Sequence, residues 1–143
     1  MRFKRQTDAL IVGAGPVGML SALSLNDRGM GVTIIDVGTP KSMRSYALAL
    51  HPASLRLLAR YGLTEQLLAG GHRVDRVSFY ERTQRVGVLD YAALRDDYPY
   101  VLVVPQTRLE EVLLGALEAR GVKVHWLHQA LRFRELAEGV EVD

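Results

Sequence analysis

A glycine-rich segment at residues 13–18, Gly-Ala-Gly-Pro-Val-Gly, constrains the fold more than any other feature of the chain. It follows a short apolar run, Ala9–Val12, which is typical of a strand buried in a parallel sheet. The pattern after it predicts a helix over residues 17–28, ended by Gly29, and a second apolar strand, Val32–Asp36. The predicted apolar side of the helix consists of Val17, Leu20, Ala22, Leu23 and Leu25. A strand, a tight turn, a helix and a strand ending in a carboxylate together predict a dinucleotide-binding βαβ unit.

The glycines, the proline and the carboxylate of this unit each have a physical reason to occupy their positions. Gly13 allows a sharp turn off the strand, Gly15 leaves the backbone open to a pyrophosphate, and Gly18 lets the helix lie close to the sheet. Pro16 costs little, because an N–H in the first helical turn has no partner within the helix. Asp36 can accept both hydroxyls of an adenosine ribose. The motif does not separate FAD from NAD, and its alternative interpretation is a tight turn without a ligand.

Composition excludes several classes of protein. The chain has 143 residues, 48% of them apolar and 24% charged, which is not the composition of a disordered protein. A net charge of +2 argues against a nucleic-acid partner, and the absence of cysteine excludes disulfides. No apolar run approaches the ~20 residues of a membrane span, and the apolar run near the start is too short for a signal peptide. We therefore expect a cytoplasmic protein without a membrane partner.

The rest of the chain predicts alternating helices and strands. A capping box of Thr107 with Glu110 predicts a helix start, and Gly121 its end. The predicted apolar face of this helix consists of Leu109, Val112, Leu113, Ala116 and Leu117. The remaining predictions are a loop over residues 38–50, helices over 52–61 and 64–68, strands over 74–81, 86–91, 100–104 and 122–126, and a hairpin of 130–135 with 140–142. Because the chain stops inside a strand pattern, we expect a truncated domain.

Four stretches, at residues 8–38, 44–63, 100–126 and 133–143, carry a resemblance to a known family. The chain resembles the N-terminal part of the single-component FAD-dependent aromatic-ring monooxygenases, of the p-hydroxybenzoate and phenol hydroxylase type. The resemblance implies an α/β fold, the FAD-binding Rossmann-like three-layer fold, here incomplete. Residues 1–73 and 101–143 would form the FAD-binding part, and residues 74–100 would be strands of a partial substrate-side region that interrupt it.

The resemblance also implies cofactor contacts. In the family, an arginine and a glutamine that match Arg44 and Gln106 lie on the FAD, and Arg108 assists. A guanidinium fork fits phosphate oxygens, and a neutral amide both donates and accepts hydrogen bonds. The family's downstream Asp-Gly and Gly-Asp stretches are not in this chain. We therefore expect an incomplete active site and assign no catalytic residue. Val37 is a smaller departure, because the family more often has a basic residue after the acidic one.

The implied function is hydroxylation of a small aromatic substrate with FAD, NAD(P)H and O2 by a longer relative. Two alternatives stay open: a non-catalytic remnant that binds FAD weakly or not at all, and an NAD-dependent dehydrogenase domain. We expect exposed apolar sheet edges, and hence a homo-oligomer or docking with a missing C-terminal half. We expect no metal site, because a spacing of three on a strand points His125 and His128 to opposite faces.

Overall fold

The computed structural model describes residues 6–40 and 46–143. The chain divides into two compact units, one of residues 1–43 and 113–143 and the other of residues 44–112. The assignment of residues 74–100 to a substrate side stays a prediction, because compactness does not say what a segment binds.

Four helices and ten strands occupy the described ranges. The helices are α1 (Pro16–Asn26), α2 (Pro52–Ala59), α3 (Thr64–Leu68) and α4 (Gln106–Glu118). The strands are β1 (Ala9–Val12), β2 (Val32–Asp36), β3 (Ala47–Leu50), β4 (His72–Val74), β5 (Arg76–Glu81), β6 (Gln84–Asp90), β7 (Val101–Pro105), β8 (Val124–Trp126), β9 (Phe133–Leu136) and β10 (Gly139–Val142). A 3-10 turn, Tyr91–Ala93, follows β6. The predicted βαβ unit and the hairpin at residues 130–142 are both present.

The first unit contains a parallel sheet in the order β1-β2-β8. Ile34 of β2 is fully buried and pairs with Ile11 on one side and Val124 on the other. Helix α1 connects β1 to β2 and buries Met19, Ala22 and Leu23.

One predicted core position of α1 is wrong. Val17 was expected on its apolar side, with Leu20, Ala22, Leu23 and Leu25, but 80% of Val17 is exposed. Gly18 faces β1, with its nearest non-local neighbours in Gly13 and Ile11. Successive residues are about 100° apart around a helix, so Val17 points away from the strand.

The second unit contains an antiparallel sheet in the order β3-β7-β4. Strand β3 lies where a loop was predicted. Its four residues, Ala-Leu-Ala-Leu, include no β-branched side chain, and its partner strand lies about 50 residues later, so local pattern did not reveal it. The strand predicted over residues 74–81 is confirmed from Arg76 to Glu81 as β5, which pairs with β6. Val74 belongs instead to a separate strand, β4, because β4 pairs with β7.

Helix α4 confirms its predicted apolar face but not its predicted start. The buried residues are Leu109, Val112, Leu113, Ala116 and Leu117. The capping box is wrong, because Thr107 is already the second helical residue and the Glu110 carboxylate accepts from the Gln106 side chain instead. Gly121, with φ +72°, ends the helix as predicted. Among the described residues, no helix is both long enough and apolar enough to cross a membrane.

Candidate dinucleotide-binding site

The glycine-rich turn leaves β1 at Gly13. Gly13 has φ +107°, a conformation that side-chain-bearing residues rarely adopt, and its N–H donates to the Ile35 carbonyl over 2.8 Å. This hydrogen bond therefore holds the start of the turn against β2, and Ala14, the next residue of the turn, is buried. Glycine is required at position 13 by the backbone itself.

Gly18 is required by packing. A Cβ at this position would lie 2.0 Å from the Gly13 carbonyl oxygen and 3.3 Å from Ile11 Cγ2. Both neighbours belong to β1 and its turn, and the closer one is backbone, which cannot rotate away. The absence of a side chain therefore sets how closely α1 approaches β1.

Gly15 is different, because nothing within the described protein requires a glycine there. Its φ of −72° and ψ of 175° are open to any residue, and a Cβ would meet no atom within 4 Å. Gly15 is the N-cap residue of α1, and in the described chain no side chain caps this helix end. The first turn carries no acidic residue, and Pro16 at its start has no N–H to leave unpaired. The helix terminus therefore presents free N–H groups and a positive dipole end beside an open backbone, which suits an anion.

Asp36 ends β2 and links the two turns at this edge of the sheet. Its Oδ2 accepts from the Ala14 N–H over 2.7 Å, and its Oδ1 accepts from the Gly38 N–H over 2.6 Å. An ionised carboxylate has about four acceptor positions, so two remain for ribose hydroxyls. Sequence reasoning assigned Asp36 only to a ligand and missed that it also holds the glycine-rich turn.

The segment after β8 reaches the same edge. The Leu127 N–H donates to the Gly38 carbonyl over 3.1 Å, and the His128 N–H donates to the Asp36 carbonyl over 2.9 Å. The carboxyl ends of three parallel strands therefore meet here, which is where open α/β sheets bind their ligands.

The expectation that His125 and His128 point apart is wrong. Their ring centroids are 5.8 Å apart, and the planes of the two rings are inclined at 69°. The strand ends at Trp126, and the next residue, Leu127, has φ +59°, so the alternation of a strand no longer applies. Within residues 6–40 and 46–143, no group of three or more His, Cys, Asp or Glu side chains is arranged to hold a metal ion.

The other predicted contacts lie in the second unit or outside the described residues. Gln106 begins α4, its backbone N–H donates to the Tyr46 carbonyl over 2.7 Å, and its side chain donates to Glu110. The Arg108 guanidinium donates to the Gln66 carbonyl over 3.2 Å and lies 3.5 Å from Glu111 Oε2, so protein partners already engage it. Arg44 lies outside the described residues.

Comparison with known proteins gives a family. Residues 6–143 match the model of the FAD binding domain. The chain is 36% identical, over 119 residues, to 6-methylpretetramide 4-monooxygenase of Streptomyces rimosus. The matched segment covers 82% of this chain and 21% of that protein. It is 29% identical, over 136 residues, to pentachlorophenol 4-monooxygenase of Sphingobium chlorophenolicum, covering 94% of this chain and 25% of that protein.

Solved structures agree with this result. The fold superposes on p-nitrophenol 4-monooxygenase of Pseudomonas putida with a TM-score of 0.84 and 26% identity, over 93% of this chain and 35% of that one. It superposes on the anhydrotetracycline hydroxylase of Streptomyces rimosus with a TM-score of 0.86 and 28% identity, over 96% of this chain and 28% of that one. The chain spans about a fifth to a third of the length of these proteins.

These matches define an FAD-binding α/β domain of the flavoprotein monooxygenase type. The chain belongs to the FAD binding domain family, and its cofactor is FAD. The resemblance drawn from the four sequence stretches is thereby confirmed. The residues present also fit the cofactor, because the uncapped helix terminus, the open Gly15 backbone and the Asp36 carboxylate offer what a pyrophosphate and a ribose require.

Proposed function

We propose that residues 13–18 and Asp36 bind the ADP half of FAD. The backbone N–H groups at the start of α1 bind the pyrophosphate, and the free acceptor positions of Asp36 bind the adenosine ribose. Gly15 carries this proposal, because its lack of a side chain has no explanation inside the described protein and a direct one if a phosphate approaches the backbone.

The longer protein that this domain serves is proposed to hydroxylate a small aromatic compound with NAD(P)H and O2. The support is that relatives named as pentachlorophenol 4-monooxygenase and para-nitrophenol 4-monooxygenase share this domain. FAD supplies the redox chemistry when bound. The residues of this chain bind and orient it, and we assign none of them a catalytic role. Arg44, Gln106 and Arg108 are proposed as further cofactor contacts.

A cytoplasmic location and association with a second copy or a C-terminal half belong to the same proposal. Leu127 and Phe133 are 73% and 81% exposed, so the first unit carries apolar surface that such association would cover.

A comparison of Gly15→Ala with Gly115→Ala tests the proposed site. Both positions have room for a methyl group and neither has a left-handed backbone, so both variants should fold. We expect Gly15→Ala to weaken FAD binding at least about tenfold, or ~1.4 kcal/mol, because the new methyl group occupies the approach to the backbone. Gly115→Ala, on an open face of α4, should bind FAD as the wild type does.

The binding assay is a titration followed by flavin fluorescence, with NAD as the second ligand. Saturation by FAD and not by NAD supports the proposal. A folded wild-type chain that binds NAD in preference would favour the dehydrogenase alternative, and one that binds neither would favour the remnant. Equal FAD affinity in Gly15→Ala and wild type would show that the glycine-rich turn is not part of the FAD-binding site.

A further inference from the structure

Leu127, the first residue after β8, has a backbone conformation that leucine rarely adopts. Its φ is +59°, in the left-handed region that glycine, asparagine and aspartate normally occupy. Burial of the side chain does not explain this conformation, because the residue is 73% exposed. A strained residue that its own packing does not require points to a function of its backbone.

The hydrogen bonds of the next two N–H groups supply a reason for this conformation. The Leu127 N–H donates to the Gly38 carbonyl over 3.1 Å, and the His128 N–H donates to the Asp36 carbonyl over 2.9 Å. Successive N–H groups of an extended strand point to opposite sides, so a strand could not direct both to the same segment. The left-handed turn at Leu127 directs both of them to the loop that follows β2.

The side chain of His128 closes this turn. Its Nδ1 lies 2.7 Å from the carbonyl oxygen of Trp126, two residues earlier. Because a carbonyl oxygen only accepts hydrogen bonds, Nδ1 carries the proton and donates. The ring of His125 packs beside it, with the two ring centroids 5.8 Å apart. The hydrogen bond spans Leu127 and therefore holds the backbone on both sides of the strained residue.

Gly38 connects the turn to the carboxylate of Asp36. The Gly38 N–H donates to Asp36 Oδ1 over 2.6 Å, and the Ala14 N–H donates to Asp36 Oδ2 over 2.7 Å. Each carboxylate oxygen is thus oriented by one backbone N–H. The carbonyl of Gly38 is held in turn by the Leu127 N–H. Movement of the turn would therefore displace one of the two donors that orient the carboxylate.

We propose that the turn at residues 126–128 is a clamp that orients the Asp36 carboxylate toward the adenosine ribose, with Leu127 and His128 as positioning residues. This inference rests on the proposed function, in which the free acceptor positions of Asp36 bind the ribose hydroxyls. Both residues act through Gly38 and need no contact with the cofactor. Every residue of this argument belongs to the first compact unit.

The test compares Leu127→Val with Leu131→Val. The two leucines are 73% and 70% exposed, but Leu131 does not have a left-handed backbone, so its replacement is the matched control. A β-branched residue tolerates the left-handed region least, so Leu127→Val should open the clamp. The ligands are ADP and 2′-deoxy-ADP, which differ by one ribose hydroxyl.

The ratio of the two affinities reports on the orientation of Asp36. We expect the wild-type chain to bind ADP about tenfold more tightly than 2′-deoxy-ADP, the value of one hydrogen bond to a charged group. The ratio should fall to about twofold or less in Leu127→Val and stay at about tenfold in Leu131→Val. A variant with glycine, Leu127→Gly, should keep the wild-type ratio, because glycine adopts φ +59° without strain.

Replacements of His128 test the side-chain hydrogen bond separately. His128→Ala should lower the ratio as Leu127→Val does, whereas His128→Asn should restore it, because the asparagine NH2 group can donate in place of Nδ1. Gln129→Ala is the control, since Gln129 is exposed and takes no part in these hydrogen bonds. The His128 variants change one exposed side chain and carry the test if Leu127→Val does not fold.

A ratio of about tenfold retained in Leu127→Val and His128→Ala overturns the inference. This includes an equal loss of affinity for both ligands, which is what a purely structural role of the turn would give. A low ratio in His128→Asn would contradict the role assigned to Nδ1. A wild-type chain that binds the two ligands equally would instead refute the proposed ribose contact of Asp36, and with it this part of the proposed function.

A measurement without ligand separates the clamp from the proposed function. The backbone amide signals of Ala14 and Gly38 report their hydrogen bonds to the Asp36 carboxylate in the nuclear magnetic resonance spectrum of the free chain. The Gly38 signal should shift in Leu127→Val and His128→Ala, and both signals should stay in place in Leu131→Val. An unmoved Gly38 signal in the folded variants refutes the clamp, whatever the ligands do.

Discussion

Replacement of Gly18 by alanine tests how closely α1 and β1 pack. The new Cβ would lie 2.0 Å from the Gly13 carbonyl oxygen, whereas real Cβ contacts essentially never fall below 3.0 Å, so the helix and the turn must separate by about 1 Å. The obstructing atom is backbone, and the buried Met19, Ala22 and Leu23 would lose contact as the helix moves.

The expected change in the free energy of unfolding is the sum of two opposing effects. Overpacking of a rigid site costs about 3 kcal/mol or more at the upper end of its usual range. Alanine gains about 1 kcal/mol over glycine in helix propensity. The net expectation is a loss of about 2 kcal/mol or more in the free energy of unfolding.

The assay is urea unfolding followed by the fluorescence of Trp126, the single tryptophan, on the strand next to β2. Gly115→Ala is the control, because its methyl group meets nothing within 4 Å and should stabilise α4 by about 0.5–1 kcal/mol. A Gly18→Ala chain as stable as the wild type would refute the close-packing argument.

Three further predictions concern stability. Asp36→Ala should lower the free energy of unfolding by about 1–3 kcal/mol, because it leaves the N–H groups of Ala14 and Gly38 without their acceptor; urea unfolding of the ligand-free chain measures this, and no loss would contradict it. Gly71→Ala should lower the free energy of unfolding by about 1–3 kcal/mol in the same assay, since its Cβ would lie 2.7 Å from a Leu102 methyl group and 2.8 Å from a Val104 methyl group. A variant as stable as the wild type would show that both side chains move aside. Burial raises the pKa of Tyr100 above its ordinary 10.0, so stability present below pH 10.0 should be lost as the pH rises through the higher pKa of the folded state. A series of unfolding curves above pH 10 should show this loss in the wild type and not in Tyr100→Phe.

The sequence was sufficient to predict those elements whose structure depends on residues close together in the chain. The βαβ unit could be predicted because its apolar strands, glycines and carboxylate all lie within about 30 residues. The buried face of α4 followed from helical periodicity, and Gly121 marked its end.

Partners distant in sequence explain what could not be predicted. Strand β3 is fixed by β7, and the break between β4 and β5 arises because the two segments pair with different strands. The structural role of Asp36 depends on the Ala14 N–H, 22 residues earlier, which no local pattern reveals. Glu110 looked like half of a capping box because its spacing from Thr107 was right, but the helix begins one residue earlier.

The central claim is that the start of α1 and the end of β2 bind FAD, and mapping of backbone amide signals during an FAD titration of the labelled chain tests it most directly. The signals of residues 13–18 that have an N–H, and those of residues 36–38, should move furthest and saturate with added FAD. Saturation by FAD that leaves these signals unmoved while others shift would contradict the claim and place the cofactor elsewhere.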